Sequence, residues 1–440
     1  MRVSRLGRRL KVDFAQVLSG NVLYFACQWL IVVALAKLGT PEQVGEYALG
    51  MAICAPILLF ANLQLRALIA SDVHDQFSLR QYFAFRLLSL VIALLVIAGI
   101  AVVAGSTPPK AAIIMVVCLA QSLDYIAETY YGWMQKYARL DRMARSQAIK
   151  GPLALTALCV VMYLTHSVLW AVLGLTAARL AVLLAWDARL GYTGGSSLRF
   201  DRDFFRLDGN PRFLGPLLKL SFPLGVISMT GGLSASIPRY FVEAFRGSAE
   251  LGIFSAIASL LSTGTLVVSA FGQSVFLPVA EACARLDQSA FRTYVAAAAA
   301  VGAMLGGAGV LVAATFGRQI LAHLFRPEYG LRQDVFVQLM IAGSASFAAC
   351  AAGYVVTAAR SITPQVPVLA AAALAAVVVC ARLVPKYGLN GAADAVLVAA
   401  LVQLAGTAVI VWRVDRQLRS LRLAATELGG GRSAVEAGIL

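Results

Sequence analysis

This 440-residue sequence has few charged residues and only three histidines. Charged residues make up 13% of the chain, about half of the roughly 25% that is usual in soluble domains. Apolar residues make up 60%, against about 45–50% in soluble proteins. A water-soluble enzyme, an intrinsically disordered chain and a nucleic-acid-binding protein are therefore poor interpretations of this composition.

The sequence also has little that could support catalysis or cofactor binding. None of its seven cysteines forms a CxxC pair and the histidines are scattered, so no metal site is recognisable. It contains no GxxxxGK[ST] phosphate loop, no glycine-rich dinucleotide turn and no Ser/His/Asp grouping. We therefore expect neither an enzyme nor a cofactor, and we expect the cysteines to pack as small apolar residues.

What the chain does have is apolar segments long enough to cross a membrane, which takes about 20 residues. They do not alternate in polarity as β-barrel strands do, so they predict a polytopic α-helical membrane protein. The basic N-terminus leads into a full-length span without a small-residue cleavage site, so no cleavable signal peptide is expected. The twelve predicted spans are residues 15–37, 44–66, 82–104, 111–134, 151–165, 167–187, 216–240, 250–278, 293–316, 334–359, 364–384 and 390–412.

The positions of Lys and Arg predict the orientation of these spans. With the N-terminus inside, 26 of the 37 basic residues fall in cytoplasmic segments and 9 in external loops, so the positive-inside rule places both termini in the cytoplasm. The net charge of +15 then reflects orientation and contact with anionic lipids, and no nucleic acid is needed to explain it. The predicted divisions are a basic arm at 1–14, an N-lobe at 15–187, a cytoplasmic linker at 188–215, a C-lobe at 216–412 and a cytoplasmic tail at 413–440.

A weak internal repeat supports two lobes of six helices each. Val44-Gly-Glu-Tyr-Ala48 opens the second span, and Leu251-Gly-Ile-Phe-Ser255 opens the eighth, 207 residues later. Because six is even, both halves enter the membrane in the same orientation, as in transporters with a cavity between parallel repeats. Chance similarity between apolar helices is the alternative explanation.

The fourth span carries polar residues on one helical face, at spacings of three and four: Gln121, Asp124, Glu128 and Tyr131. Charges within a span are costly and mark a cavity or an ion pair. Asp124 and Glu128 are one turn apart, so burial and mutual repulsion both favour protonation of one of them. We predict that they couple transport to an ion; a structural pair between a carboxylate and Arg179 of the sixth span is the alternative.

Further polar residues lie in other spans. Arg66 and Arg86 each sit about one turn inside the predicted cytoplasmic boundary, where they could bind an anion through planar guanidinium groups. The alternative is that each extends to the lipid headgroups. The remaining candidates are Asn21 and Gln28 in the first span, Asn62 and Gln64 in the second, Arg239 in the seventh and Gln273 in the eighth.

The segment from Gly45 to Arg66, GEYALGMAICAPILLFANLQLR, together with Asp72 and the stretch from Tyr82 to Arg86, resembles the polysaccharide-biosynthesis family of Wzx-type oligosaccharide flippases. The resemblance is most specific over residues 15–150. The family belongs to the multidrug/oligosaccharidyl-lipid/polysaccharide exporter superfamily, so the resemblance implies a MATE-like fold of two six-helix lobes around a central cavity.

The resemblance also implies a function in the inner membrane of a bacterial cell. The chain would move a polyprenyl-diphosphate-linked oligosaccharide to the external leaflet for O-antigen (lipopolysaccharide), capsule or exopolysaccharide biosynthesis. Expected partners are this substrate, membrane lipids, H⁺ or Na⁺, and the polymerase and glycosyltransferases of the same pathway. The diphosphate needs cations and the sugars need polar side chains, so the candidates are Arg66, Arg86, Arg179 and Arg239 for diphosphate, and Asn21, Gln28, Asn62, Gln64, Gln121, Tyr131 and Gln273 for sugar.

Two other functions remain open at this point. A MATE-like drug or cation antiporter, or another small-molecule exporter, would suit Asp124 and Glu128 but not the intramembrane arginines. A membrane glycosyltransferase or polymerase would need a sizeable external loop, and the longest one here has fewer than about twenty residues.

Overall fold

The structure is a computed structural model that describes residues 2–72, 75–105, 107–137, 139–188, 213–361 and 363–427. Every regular element in those ranges is a helix, as the apolar segments predict. The chain divides into two compact units, Met1–Ser236 and Ile237–Leu440, which we call the first and the second unit. The predicted linker lies mostly outside the described residues, so the lobe boundaries stay a prediction.

In the described part of the chain, seven helices precede that linker, and a π-helical turn extends the last of them. They are α1 (Arg2–Leu38), α2 (Pro41–Asn62), α3 (Leu65–Ser71), α4 (Leu79–Val103), α5 (Pro108–Lys136), α6 (Leu140–Thr165) and α7 (Val168–Val182), followed by the turn Leu183–Asp187.

Between residues 213 and 427, leaving out residue 362, six helices follow the linker. They are α8 (Leu214–Ala284), α9 (Gln288–Leu324), the short α10 (Pro327–Gly330), α11 (Gln333–Ala358), α12 (Gln365–Tyr387) and α13 (Leu389–Glu427).

Eleven helical segments in the described ranges are long and apolar enough to cross a membrane. One of them, α8, has 71 residues, which at 1.5 Å per residue is about three times the roughly 30 Å hydrocarbon core. Gly247 breaks it with φ 80° and ψ 178°, so α8 supplies two spans and the total is about twelve. Only 17–56% of the residues in these apolar windows are buried within the protein, which leaves the wide apolar surface that lipid requires.

Local sequence signals fix where α2 and α4 begin. Thr40 accepts a hydrogen bond from the backbone N–H of Gln43, whose side chain accepts one from the backbone N–H of Thr40. Ser78 and Gln81 form the same reciprocal pair before α4. Each capping box satisfies two N–H groups that a helix otherwise leaves unpaired.

The second span is broken near its end. Leu63 and Gln64 have φ of 49° and 51°, a left-handed conformation that costs about 1–3 kcal/mol for such residues. The break separates α2 from α3 and removes helical partners from the last carbonyl groups of α2. It therefore creates acceptors that another side chain must satisfy.

The fifth span is longer than the sequence predicts. We expect it over 151–165 with a cytoplasmic loop at 136–150, but α6 begins at Leu140 and buries Lys150. The prediction is wrong here because Arg142, Arg145 and Lys150 lower the hydropathy of the first turns. Residues of this stretch are nevertheless buried at helical spacing, as Met143, Gln147 and Lys150 show.

Small residues bring α1 and α6 together and so position the candidate site. A Cβ atom on Gly151 would lie 3.2 Å from the Cα atom of Tyr24, and one on Gly20 would lie 2.7 Å from the carbonyl oxygen of Ala144. In the second unit, Gly302 and Gly306 of α9 likewise pack against the backbone of α11. Close helix approach through small residues is a usual packing device in membranes.

Candidate functional site

A buried cluster of charged side chains lies among α1, α5, α6 and α7 of the first unit. Its centre is Asp124 on α5. Oδ1 of Asp124 is 2.8 Å from Nζ of Lys150, and Oδ2 is 2.9 Å from Nη1 of Arg179. The hydroxyl of Tyr24 donates a third interaction to Oδ2 at 2.8 Å. One carboxylate thus binds two cations, and the side chains of Lys150 and Arg179 are only 4% and 2% exposed.

Arg179 extends this cluster through its remaining donors. Nη1 also donates to Oε1 of Gln121 at 3.0 Å and to the carbonyl of Ala120 at 2.9 Å, and Nη2 donates to Oε1 of Gln28 at 3.0 Å. Three predicted site residues, Gln28, Gln121 and Arg179, therefore meet around Asp124. The structural pair proposed as an alternative for the acidic face is present.

Lys150 was missing from the sequence prediction because the fifth span was placed too late. Its Nζ lies 4.9 Å from the ring centre of Tyr24 and 5.2 Å from that of Tyr131, so two aromatic faces contribute to its stabilisation. The sequence signal that could have found it is the i, i+4 spacing of Ser146 and Lys150, which places both on one helical face. In the structure, Ser146 and the Tyr131 hydroxyl form a hydrogen bond of 2.8 Å.

Asp187 is a second buried acid that the sequence analysis missed. It ends the π-helical turn, is fully buried, and neither carboxylate oxygen has a hydrogen bond of normal geometry in the described part of the chain. Ser146 and Lys150 are its polar neighbours. A π turn inserted into a helix is often a functional feature, and here it places an acid beside Lys150.

Arg86 lies in a separate polar cluster at the break between α2 and α3. It is fully buried, and Nη1 donates to the carbonyl oxygens of Ala61 and Asn62 at 3.3 and 3.0 Å. Its Nε donates to Oγ1 of Thr129 on α5 at 3.2 Å. These contacts satisfy the acceptors that the helix break leaves free, so Arg86 fastens α4 to α2 and α5 instead of extending to the headgroups.

Glu128 interacts electrostatically with Arg86 and Arg66 but forms no direct bond to either. Arg86 and Arg66 are the cations that act on it most strongly, but it makes no hydrogen bond or salt bridge to any described residue. It differs in this respect from Asp124, whose two oxygens are both engaged. Of the two predicted coupling residues, Glu128 has the carboxylate with free hydrogen-bonding capacity.

Arg66 is the most available cation of the first unit's predicted set. It is partly buried on α3, its Nη2 lies 3.2 Å from Sδ of Met143, and its guanidinium carbon is 6.0 Å from the ring centre of Tyr131. Within the described ranges no carboxylate lies within salt-bridge distance of it. Its donors can therefore bind an anion without first losing an acidic partner.

Among the described residues of the first unit, Asn21, Asn62 and Gln64 make no hydrogen bond or ion pair to Asp124, Lys150 or Arg179. The side chain of Gln64 donates to Ser228 at 3.0 Å, Asn62 is buried beside Arg86, and Asn21 is partly buried on α1. Arg239 and Gln273 belong to the second unit, where Arg239 is partly buried and has polar interactions, and Gln273 is exposed. No group of three His, Cys, Asp or Glu residues in the described ranges is arranged to hold a metal ion.

Four cations (Arg66, Arg86, Lys150 and Arg179) and three acids (Asp124, Glu128 and Asp187) lie in this part of the first unit, which is a net charge of +1 if all are ionised. Such a site suits a negatively charged group, because a low-dielectric surrounding strengthens attraction between opposite charges. Guanidinium groups match phosphate oxygens through paired hydrogen bonds. Asp124 suits a cationic ligand poorly, since two cations already bind it, whereas Glu128 has no such ion pair among the described residues.

Comparisons with known proteins agree with the family resemblance. The profile of the family described as "Polysaccharide biosynthesis protein" matches residues 13–282. The capsular polysaccharide biosynthesis protein CapF of Staphylococcus aureus is 26% identical over 396 residues, which cover 89% of this chain and 96% of CapF.

Solved structures show the same fold at low sequence identity. A multidrug resistance MATE transporter of the MOP superfamily has a TM-score of 0.70 at 13% identity, covering 91% of this chain and 95% of its own. The lipid II flippase MurJ has a TM-score of 0.68 at 10% identity, covering 96% and 94%. The predicted all-α MATE-like membrane fold is confirmed. Since the family profile matches more than half of its length, this chain belongs to the polysaccharide biosynthesis protein family.

Proposed function

We propose that this protein is a flippase that moves a polyprenyl-diphosphate-linked oligosaccharide from the cytoplasmic to the external leaflet of a bacterial inner membrane. Both termini face the cytoplasm. The product serves O-antigen, capsule or exopolysaccharide biosynthesis, where glycosyltransferases supply the substrate and a polymerase consumes it. No bond is broken in this step, so the protein acts as a transporter and not as an enzyme.

The observation that carries this proposal is the cation-rich cluster of the first unit. Arg66 has no carboxylate partner in the described ranges, while Arg179 and Lys150 share Asp124. A diphosphate crossing a low-dielectric region loses its hydration and needs such cations. We assign Arg66 as the residue that binds the diphosphate directly.

A drug or cation antiporter of the same fold is the second candidate. The family profile and CapF favour polysaccharide biosynthesis, whereas the MATE and MurJ folds are compatible with either function. The occupied oxygens of Asp124 count against cation binding there. Glu128 leaves room for coupling to H⁺ or Na⁺ in both cases.

The test uses proteoliposomes that contain a fluorescent lipid-diphosphate saccharide. This saccharide lipid is prepared from an export-deficient strain of the bacterium that encodes the protein. Translocation is measured as the rate at which the fluorescent lipid loses its protection from a membrane-impermeant quencher. Arg66→Ala should lower the rate at least tenfold, and Arg66→Lys should restore part of it, because lysine keeps the charge but lacks the planar fork.

Arg145→Ala is the matched control, since it removes an exposed arginine from α6 of the same unit. It should transport at the wild-type rate. If the wild-type protein does not move the saccharide lipid but exchanges cationic dyes for protons, the antiporter is the correct function.

A further inference from the structure

The second unit contains a polar cavity that the site described above does not use. Its volume is about 230 Å³, and it lies among α11, α12 and α13. The polar or reactive side chains that line it are Cys350, Tyr354, Thr357, Gln365, Gln403 and Thr407. None of the lining residues is charged, so the cavity suits neither a diphosphate nor a cation.

Helical spacing brings these groups to one place. Cys350, Tyr354 and Thr357 follow one another at four and three residues on α11, and Gln403 and Thr407 are four apart on α13. Each set therefore occupies one helical face. The two faces and the first residue of α12, Gln365, meet at the cavity.

Several of these polar groups lack a partner in the protein. Thr357 donates to the carbonyl of Gly353 at 2.8 Å and accepts from Nε2 of Gln365 at 3.1 Å. By contrast, Tyr354, Gln403 and Thr407 make no side-chain hydrogen bond within the described ranges. None of the three is among the polar side chains that protein encloses without a partner, so their donors and acceptors are available to a ligand or water in the cavity.

The lining specifies the chemistry of such a ligand. Two amides and three hydroxyl groups can both donate and accept hydrogen bonds, as the neighbouring hydroxyls of a sugar do. The aromatic ring of Tyr354 packs against Gly272 of α8, where a larger residue would displace it. With a volume below the roughly 300–1,000 Å³ of pockets for drug-sized ligands, the cavity has room for about one sugar unit and not for an oligosaccharide.

We propose that this cavity is a carbohydrate subsite that binds one uncharged sugar residue of the lipid-linked saccharide. The proposal rests on the proposed flippase function. Thr357 and Gln365 flank the loop that contains Arg360, which the charge distribution predicts to be cytoplasmic. The subsite therefore lies toward the membrane face from which the substrate comes.

Cys350 is a native reporter for this cavity. In proteoliposomes, N-ethylmaleimide should alkylate it, and peptide mass spectrometry measures the rate. The saccharide lipid from the export-deficient strain should slow the reaction at least fivefold, whereas sugar-free undecaprenyl diphosphate should leave it unchanged. The double substitution Gln403→Leu with Thr407→Val should raise the saccharide-lipid concentration needed for protection about tenfold or more. Thr315→Val, which removes an exposed hydroxyl of α9 that bonds its own helix, should not.

Four results would overturn the subsite. Cys350 that never reacts would show that the cavity is closed, and equal protection by the sugar-free lipid would show that another part of the lipid fills it. Translocation of the saccharide lipid without protection of Cys350 would remove the subsite and leave the flippase function standing. If the saccharide lipid is neither bound nor moved, the flippase proposal itself fails and the subsite fails with it.

Discussion

Lys150 of α6 and Asp124 of α5 form an ion pair of 2.8 Å inside the first unit. Arg179 of α7 approaches the other oxygen of the same carboxylate at 2.9 Å. Three helices are thus joined through one acidic side chain. Such an arrangement gives Asp124 and Lys150 different expected effects on stability.

Asp124→Asn should lower thermal stability more than Lys150→Met does. The first substitution leaves two buried cations without their anion, whereas the second leaves Asp124 with Arg179 and Tyr24. Removing one partner of a buried ion pair costs about 3–5 kcal/mol. Melting temperatures in detergent provide the measurement, and Arg285→Met, which removes an exposed pair partner on the loop after α8, is the control.

The double variant of Asp124 and Lys150 tests whether the pair is energetically coupled. Its destabilisation should be smaller than the sum of the two single effects by about 0.5–3 kcal/mol, as found for residues in direct contact. Strict additivity would show that the contact contributes nothing.

Arg86→Lys should lower the stability of the folded protein more than it lowers the translocation rate. The single ammonium group of lysine cannot reach Ala61, Asn62 and Thr129 together. The carbonyl groups at the break after α2 therefore lose hydrogen bonds that the guanidinium supplies. We expect a lower melting temperature and less protein in the membrane, with a near-normal translocation rate per folded molecule. A stable Arg86→Lys protein that cannot transport would instead assign Arg86 to the diphosphate site, as the sequence analysis suggests.

Glu128→Gln should abolish the response of transport to an imposed pH gradient while substrate still binds. Glu128 has a carboxylate without a hydrogen-bond partner in the described ranges, and the amide cannot take up and release a proton. Rates in proteoliposomes with and without the gradient give the measurement, and Glu281→Gln, an exposed acid at the end of α8, is the control. If Glu128→Gln keeps the response and Asp187→Asn loses it, the buried acid of the π turn carries the proton.

The two ends of α5 should be labelled from opposite sides of the membrane. The helix has 29 residues, about 43 Å at 1.5 Å per residue, which exceeds the hydrocarbon core. In a cysteine-free background, Lys110→Cys should react with an impermeant maleimide outside intact cells and Arg139→Cys only after lysis. The reverse pattern would invert the orientation and the proposed direction of transport.

The membrane class, the helical spans and the polar face of α5 followed from the sequence, because composition and helical period are local properties. The family resemblance also rested on a local segment, 45–66, and the profile match confirms it. Even the alternative pairing of an acid in the fourth span with Arg179 could be proposed from residue type, since a charge within a span needs a partner.

Only the tertiary structure decided which charges meet. Lys150 looked like a cytoplasmic charge until packing of α6 against α1 placed it beside Asp124, 26 positions earlier in the chain. Arg86 was predicted as a diphosphate ligand, with an interfacial anchor as the alternative, and the break at Leu63 supplies carbonyl acceptors for it. The cavity of the second unit depends on three helices whose polar residues are up to 57 positions apart. A sequence shows which polar groups carry a free-energy cost in a membrane. Helix packing determines which neighbouring group offsets that cost.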